Sequence, residues 1–232
     1  MIKYQFFDSK NSIKKSAIDY QKINVFLKEN GFNTQNNPVL VNQVHGKEVL
    51  VITNESQIPS LGNLPDADAI ITNQKNINIG IATADCAPII LFDEQNKIIA
   101  AAHAGWKGAF VGVVQNTVQE MLKLGAEIEN IKCEIGPMIR QKSYEIDERF
   151  YKQFLSQNAE NKKFFILSSK ADHYLFDLAE YVAEKLCQAG IKEIQDAGID
   201  TYKDENFESF RRKTHQGIKD DENRNVLLAC LV

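Results

Sequence analysis

Residues 77–103 read Ile77-Asn-Ile-Gly-Ile-Ala-Thr-Ala-Asp-Cys-Ala-Pro-Ile-Ile-Leu-Phe92, then Asp93-Glu-Gln-Asn96, then Lys97-Ile-Ile-Ala-Ala-Ala-His103. Two apolar runs around a polar tetrad predict two buried strands joined by a turn. With the tetrad as the loop, Phe92 faces Lys97, and the antiparallel ladder then sets Cys86 opposite His103. Directly opposed residues hold their Cβ atoms about 4.5–5.5 Å apart, close enough for a thiolate and an imidazole to share an ion or a proton. Pro88 has no N–H for a ladder, so the strand is expected to be an edge there, or bulged, and a bulge would move the register by one residue.

Beyond His103, Gly105-Trp-Lys-Gly108 reads as a tight turn. Phe110, Val113, Val114, Val118, Met121 and Leu122 then recur at helical spacing over 109–124, and Gly125 ends the helix. A strand that passes through glycines into a helix start presents free backbone N–H groups, which suit an anion such as phosphate, and Lys107 adds charge there.

Upstream, a helix is expected over 16–30, ended by Gly31. His45 follows the run Pro38-Val-Leu-Val41 and precedes Gly46, so it is expected at a strand end; residues 49–52 continue extended. Residues 66–72 open another strand, in which Asp68 either supports a ligand from behind or forms a strand-entry turn. Further on, 131–135 and 164–168 read as extended, 144–147 as the start of a short helix, 177–188 as an amphipathic helix and 225–232 as a terminal strand. Strands and helices alternate without a repeat. The expected class is α+β, with antiparallel or mixed sheets rather than a doubly wound one.

At 232 residues the chain can bury a full core and is most simply one domain over 1–232. Its formal net charge of −4, with both signs interspersed, gives no nucleic-acid footprint and favours small-molecule partners. The N-terminus lacks the apolar run of a signal peptide, and no window approaches the roughly 18 apolar residues of a membrane span, so a cytoplasmic location is expected. Cys133, Cys187 and Cys230 read as small core residues in a chain without C-x-x-C pairs. Cys86 differs, lying beside Asp85 and two residues before Pro88 among small side chains. His173 and His215 stand in polar stretches and read as surface. His45, Cys86 and His103 are metal-capable side chains that together could hold a zinc, two imidazoles and a thiolate leaving a fourth tetrahedral position open as in a catalytic centre.

Several segments together resemble the YfiH-type laccase-domain family, proteins known as polyphenol oxidases and as purine nucleoside phosphorylases: Asn42-Gln-Val-His-Gly46, Asp66-Ala-Asp-Ala-Ile-Ile-Thr72, Thr83-Ala-Asp-Cys-Ala-Pro88, His103-Ala-Gly-Trp-Lys-Gly108, Ile135-Gly-Pro137 and Tyr144-Glu145. The resemblance implies a four-layer α/β/β/α sandwich with zinc on His45, Cys86 and His103. It implies phosphorolysis of purine nucleosides such as adenosine, inosine and methylthioadenosine, with adenosine deamination at the same site. Arg211 and Arg212 match the family's paired arginines and are implied contacts to substrate or phosphate. The chain departs from the family where Phe6-Phe-Asp-Ser-Lys-Asn-Ser12 replaces a Thr-Arg and Gly-rich segment, and where Ser143 and Asp200 stand at positions that commonly carry cysteine.

Two other chemistries use the same residues. A copper polyphenol oxidase shares the His₂Cys set, but this chain has four histidines, whereas a full multicopper centre needs on the order of ten. A metal-free hydrolase would use Cys86 as nucleophile and His103 as base.

Overall fold

The computed structural model describes residues 1–14, 17–60, 62–218 and 222–232. The strands and helices, in chain order, are β1 (Ile2–Phe7), β2 (Ile13–Lys14), α1 (Tyr20–Glu29), β3 (Val49–Ile52), β4 (Ala69–Thr72), β5 (Asn78–Thr83), β6 (Ala87–Asp93), β7 (Ile98–Ala104), α2 (Trp106–Val111), α3 (Val113–Lys123) and β8 (Ile131–Ile135). They continue with β9 (Glu145–Asp147), α4 (Glu148–Gln157), β10 (Phe165–Leu167), β11 (His173–Phe176), α5 (Leu178–Gln188), β12 (Glu193–Asp196), α6 (Phe210–His215) and β13 (Asn223–Leu231). The expected start of the first helix, Ser16, lies outside the described residues; the helix begins at Tyr20, where the Asp19 side chain accepts from Lys22 N.

Period-two alternation along β13 shows how the layers stack. Leu227, Ala229 and Leu231 pack with Ile79, Ile81, Ile90 and Ile99 in a core between two sheets. Val226, Leu228 and Cys230, on the opposite face, pack with Ile23, Phe26 and Leu27 of α1. The second sheet divides its side chains likewise: Ile89, Leu91, Ala100 and Ala102 turn away from the inter-sheet core and pack with Val114 and Val118 of α3 and Val182 and Leu186 of α5. The result is a four-layer α/β/β/α sandwich. One sheet carries β1-β13-β2 with β5 also on β13, and the other runs β12-β8-β6-β7-β4-β3. In the latter, β12 to β8 and β3 to β4 are parallel and the remaining pairs antiparallel.

The β6–β7 hairpin forms, in a different register from that expected. Asp93 pairs with Ile98 and Pro88 with His103, so the loop is 94–97. Asp93 holds this loop: its carboxylate accepts from Asn96 N at 2.9 Å and Asn96 Nδ2 at 2.8 Å, and Lys97 takes the left-handed backbone at φ 54°. Continued outward, this ladder places Cys86 opposite Gly105, with His103 on the diagonal. Pro88 is tolerated inside the sheet, near the start of a central strand, because the ladder to β8 begins one residue later at Ile89.

Other expectations shift for local reasons. The stretch 77–92 is not one strand: β5 belongs to the first sheet and β6 to the second, and the chain crosses between them at residues 84–86. Gly105-Trp-Lys-Gly108 is not a turn, since α2 already starts at Trp106 with Gly105 as its cap. The helix over 109–124 is two, parted at Gly112 with φ 102°. In the segment 144–147, Glu145–Asp147 form strand β9, with the helix following, and Cys187 is exposed rather than buried.

Candidate metal centre

The cross-over at 84–86 places the site. Asp85 sits in the left-handed region at φ 81°, a costly conformation that needs fixing from outside. Its carboxylate accepts from Thr201 Oγ1 at 2.8 Å and Arg211 N at 2.6 Å, and its carbonyl accepts from Ile139 N at 3.0 Å. These bonds hold the bend so that Cys86 faces a cavity of about 420 Å³. The family's Asp-Cys pair is thus a bent carboxylate clamp presenting a thiol.

His45 is set by a second clamp. It too is left-handed, at φ 61°, because three consecutive backbone N–H groups converge on the fully buried carboxylate of Asp68: Val44 at 3.2 Å, His45 at 3.0 Å and Gly46 at 2.6 Å. The same carboxylate takes His103 Nδ1 at 2.8 Å, while Asp68 O accepts His103 N at 2.7 Å. Asp68 therefore supports the site from behind, and its strand-entry position serves that purpose. With Nδ1–H donated to Asp68, His103 keeps Nε2 for the cavity.

The ligand atoms of His45, Cys86 and His103 lie within 4.8 Å of one another. Cys86 Sγ is 3.9 Å from His45 Nε2, and the two imidazole centroids are 4.8 Å apart. Gly105 makes room: a Cβ there would come within 2.8 Å of Cys86 Sγ and 2.9 Å of His45 Cδ2. This explains the glycine after the His-Ala pair better than turn chemistry does.

Burial alone would push the Cys86 thiol up; the His103 charge and hydrogen bonds from both histidines outweigh it and bring it down to about 6. Burial would pull His103 down, yet the Cys86 charge and the Asp68 bond raise it to about 9. For Asp68 the burial penalty is likewise overcome, chiefly by the His103 bond, and its carboxyl is held below the usual range. The sign follows. A depressed thiol contributes stability that is lost as pH falls through about 6, and a raised imidazole contributes stability that is lost as pH rises through about 9. The thiolate–imidazolium pair therefore spans pH about 6 to about 9. In metal-stripped protein carrying Cys187→Ser, alkylation of Cys86 by iodoacetamide should rise with a midpoint near pH 6; a midpoint of an ordinary thiol, about 8.5, would refute the pairing.

The remaining sequence candidates separate. Arg211 lines the cavity, with its guanidinium carbon 5.1 Å from the Tyr144 ring centroid and Nη1 donating to Glu145 O at 2.7 Å. Arg212 does not line it: its guanidinium binds the carbonyls of Thr201, Tyr202, Asp204 and Phe207, tying down the 201–207 loop. Both arginines are on α6. Lys107 is exposed, over the Trp106 ring, and also outside the cavity wall. Arg224 of β13 also lines the cavity. Ser143 and Asp200 prove to be neighbours, with Ser143 Oγ donating to Asp200 Oδ2 at 2.6 Å, so a hydrogen bond joins the two positions where cysteines are common. The cavity also takes in Trp106, Tyr144 and Asp85, which the sequence reading placed in motifs without giving them a role. Burial first, then the Cys86 charge, pushes the Tyr144 phenol well up, so it stays protonated. His173 is partly buried in β11, and His215 is exposed against Tyr202.

A family model described as multi-copper polyphenol oxidoreductase laccase matches residues 14–219. The chain belongs to this family. A purine nucleoside phosphorylase of Rickettsia conorii is 39% identical over 99% of this chain and 90% of its own length. An adenosine deaminase, RL5, from an unknown prokaryotic organism is 34% identical over 50% of this chain and 46% of its own length. Among solved structures, YfiH of Bacillus licheniformis superposes with a TM-score of 0.82 at 21% identity, covering all of this chain and 93% of that one, which confirms the laccase-domain sandwich. No helix among the described residues is long and apolar enough to cross a membrane.

Proposed function

We propose that this laccase-domain protein is a zinc-dependent cytoplasmic purine nucleoside phosphorylase, acting on adenosine, inosine and methylthioadenosine, that also deaminates adenosine. The observation that carries the reading is the convergence of His45, Cys86 and His103 in the wall of a cavity sized for a nucleoside. The donor set fits the ion. In a tetrahedral zinc centre, nitrogen and sulfur donors lie roughly 3.3–3.6 Å apart, a modest contraction from the 3.9 Å between Cys86 Sγ and His45 Nε2. The Asp68 carboxylate behind His103 is the outer-shell partner that zinc-bound histidines use. Bound there, zinc would supply Lewis acidity and an acidified water for deamination.

The chain's own residues do the remaining work. Asp68 orients both histidines; Asp85 fixes Cys86 and, through Arg211 N, the start of α6. Arg211 is the cation best placed to hold phosphate, since it lines the cavity and keeps donors beyond the one given to Glu145 O. Trp106 and the apolar wall of Leu40, Leu64 and Ile139 exclude water from the bound base.

Metal-analysed protein incubated with inosine and phosphate should hold about one zinc per chain and release hypoxanthine only when phosphate is present. Absence of base from adenosine, inosine and methylthioadenosine, together with zinc content unchanged in His45→Ala and Cys86→Ala, would overturn the proposal. The charge pairing of Cys86 with His103 favours a second reading, a metal-free Cys-His hydrolase; full activity after zinc removal, abolished by alkylation of Cys86, would select it. Copper in the purified protein would select the oxidase.

A further inference from the structure

One hydroxyl in the cavity wall has no partner among the described residues. Around it, Asp68, Asp85 and His103 are all hydrogen-bonded to protein partners, and Arg211 has spent one donor. The Tyr144 hydroxyl, in the wall of the same cavity, makes no hydrogen bond to any described residue. Its ring is nevertheless held firmly. The Arg211 guanidinium lies over it, and the rings of Phe176 and Phe150 pack at centroid distances of 5.7 and 6.4 Å. Backbone bonds fix the residue on both sides: Tyr144 N donates to Gln141 O at 3.1 Å, and Tyr144 O accepts from Phe176 N at 3.0 Å. Ser143, beside it, is tied to Asp200. An immobilised phenol with an unspent O–H in the wall of a pocket is a pre-set donor for a ligand.

The geometry points to Tyr144 as a catalytic hydrogen-bond donor to a ring nitrogen of the bound purine. This rests on the phosphorylase reading above. As the C1′–N9 bond breaks, its electron pair moves onto the purine while a phosphate oxygen bonds to C1′. The base becomes more negative, and a hydrogen bond donated to its ring strengthens toward the transition state. The phenol proton stays on Tyr144; the purine anion is protonated by solvent after release. Because the donated bond gains most when the base carries charge, its loss falls on kcat more than on KM.

The test is Tyr144→Phe, which keeps the ring and its packing. With inosine and phosphate, kcat should fall about 10–100-fold while KM changes less than about threefold, and thermal midpoint and zinc content should match the wild type. A kcat within about twofold of wild type, or a fall matched by equal loss of zinc or of folded protein, would overturn the assignment. Hypoxanthine binding by calorimetry separates this from the reading it rests on. If wild-type protein releases no base, the phosphorylase reading fails; a Tyr144→Phe protein binding hypoxanthine at least about fivefold more weakly than wild type still sustains the donor role, whereas equal or absent binding removes it.

Discussion

Replacing Asp68 by alanine should destabilise the protein by roughly 3–6 kcal/mol and lower metal affinity at least about 10–100-fold. The carboxylate is fully buried and accepts four bonds, from Val44, His45 and Gly46 N and from His103 Nδ1. Removing it strands buried donors, each costing about 1–3 kcal/mol, and releases the left-handed turn that aims His45. Asp68→Asn keeps the volume, but its amide places a donor against donors and leaves His103 without a carboxylate. It should therefore recover part of the stability and little of the metal affinity. Denaturant unfolding and zinc competition titration measure the two effects separately. Stability and affinity both within error of wild type in Asp68→Ala would show that the turn holds itself. The pH dependence has a definite sign: because the folded carboxyl is held below its ordinary value, its contribution is intact above pH about 4 and is lost on further acidification.

The other large effect is expected in the aromatic core behind the cavity wall. Phe154 is fully buried and sits among Trp106, Phe110, Phe150, Phe165, Phe176 and Tyr181, with ring centroids 4.8–6.2 Å away. Phe154→Ala should cost about 3–5 kcal/mol, a drop of roughly 6–20 °C in thermal midpoint for a chain this long. Trp106 and Tyr144 share this aromatic cluster through Phe150, so the cavity wall should loosen with it. The expected kinetic signature is a raised KM for inosine at temperatures where the variant is still folded. A loss under about 1 kcal/mol would mean that the neighbouring rings close over the gap.

Much of this architecture is legible in the residues. The apolar runs around Asp93-Glu-Gln-Asn96 demand a buried hairpin, and β4, β8, α5 and β13 lie close to where periodicity places them. The three candidate ligands were legible as types in unusual settings: a histidine before glycine, a cysteine before Ala-Pro, and a histidine after three alanines. Asp68 could be read only as one of two alternatives, because nothing local distinguishes a turn carboxylate from one that reaches His103.

What stayed hidden shares one physical cause: it depends on partners remote in sequence or on side-chain bonds that override pattern. The hairpin register moved by two positions because Asp93 folds onto Asn96 and Lys97 accepts a left-handed backbone. The long run at 77–92 broke at Asp85 because Thr201 and Arg211, more than 100 residues away, clamp it into a bend. Two adjacent arginines that look equivalent diverge because one side of α6 faces the cavity and the other faces the carbonyls of 201–207. The sequence by itself determined the strands, the helices and the donor types, since burial follows the two-residue and 3.6-residue periods and ligand chemistry belongs to residue type; the four layers were legible only through the family resemblance. Only the tertiary structure decided that His45, Cys86 and His103 meet, because two buried carboxylates each bind backbone from distant segments and hold strained turns that no local propensity would favour.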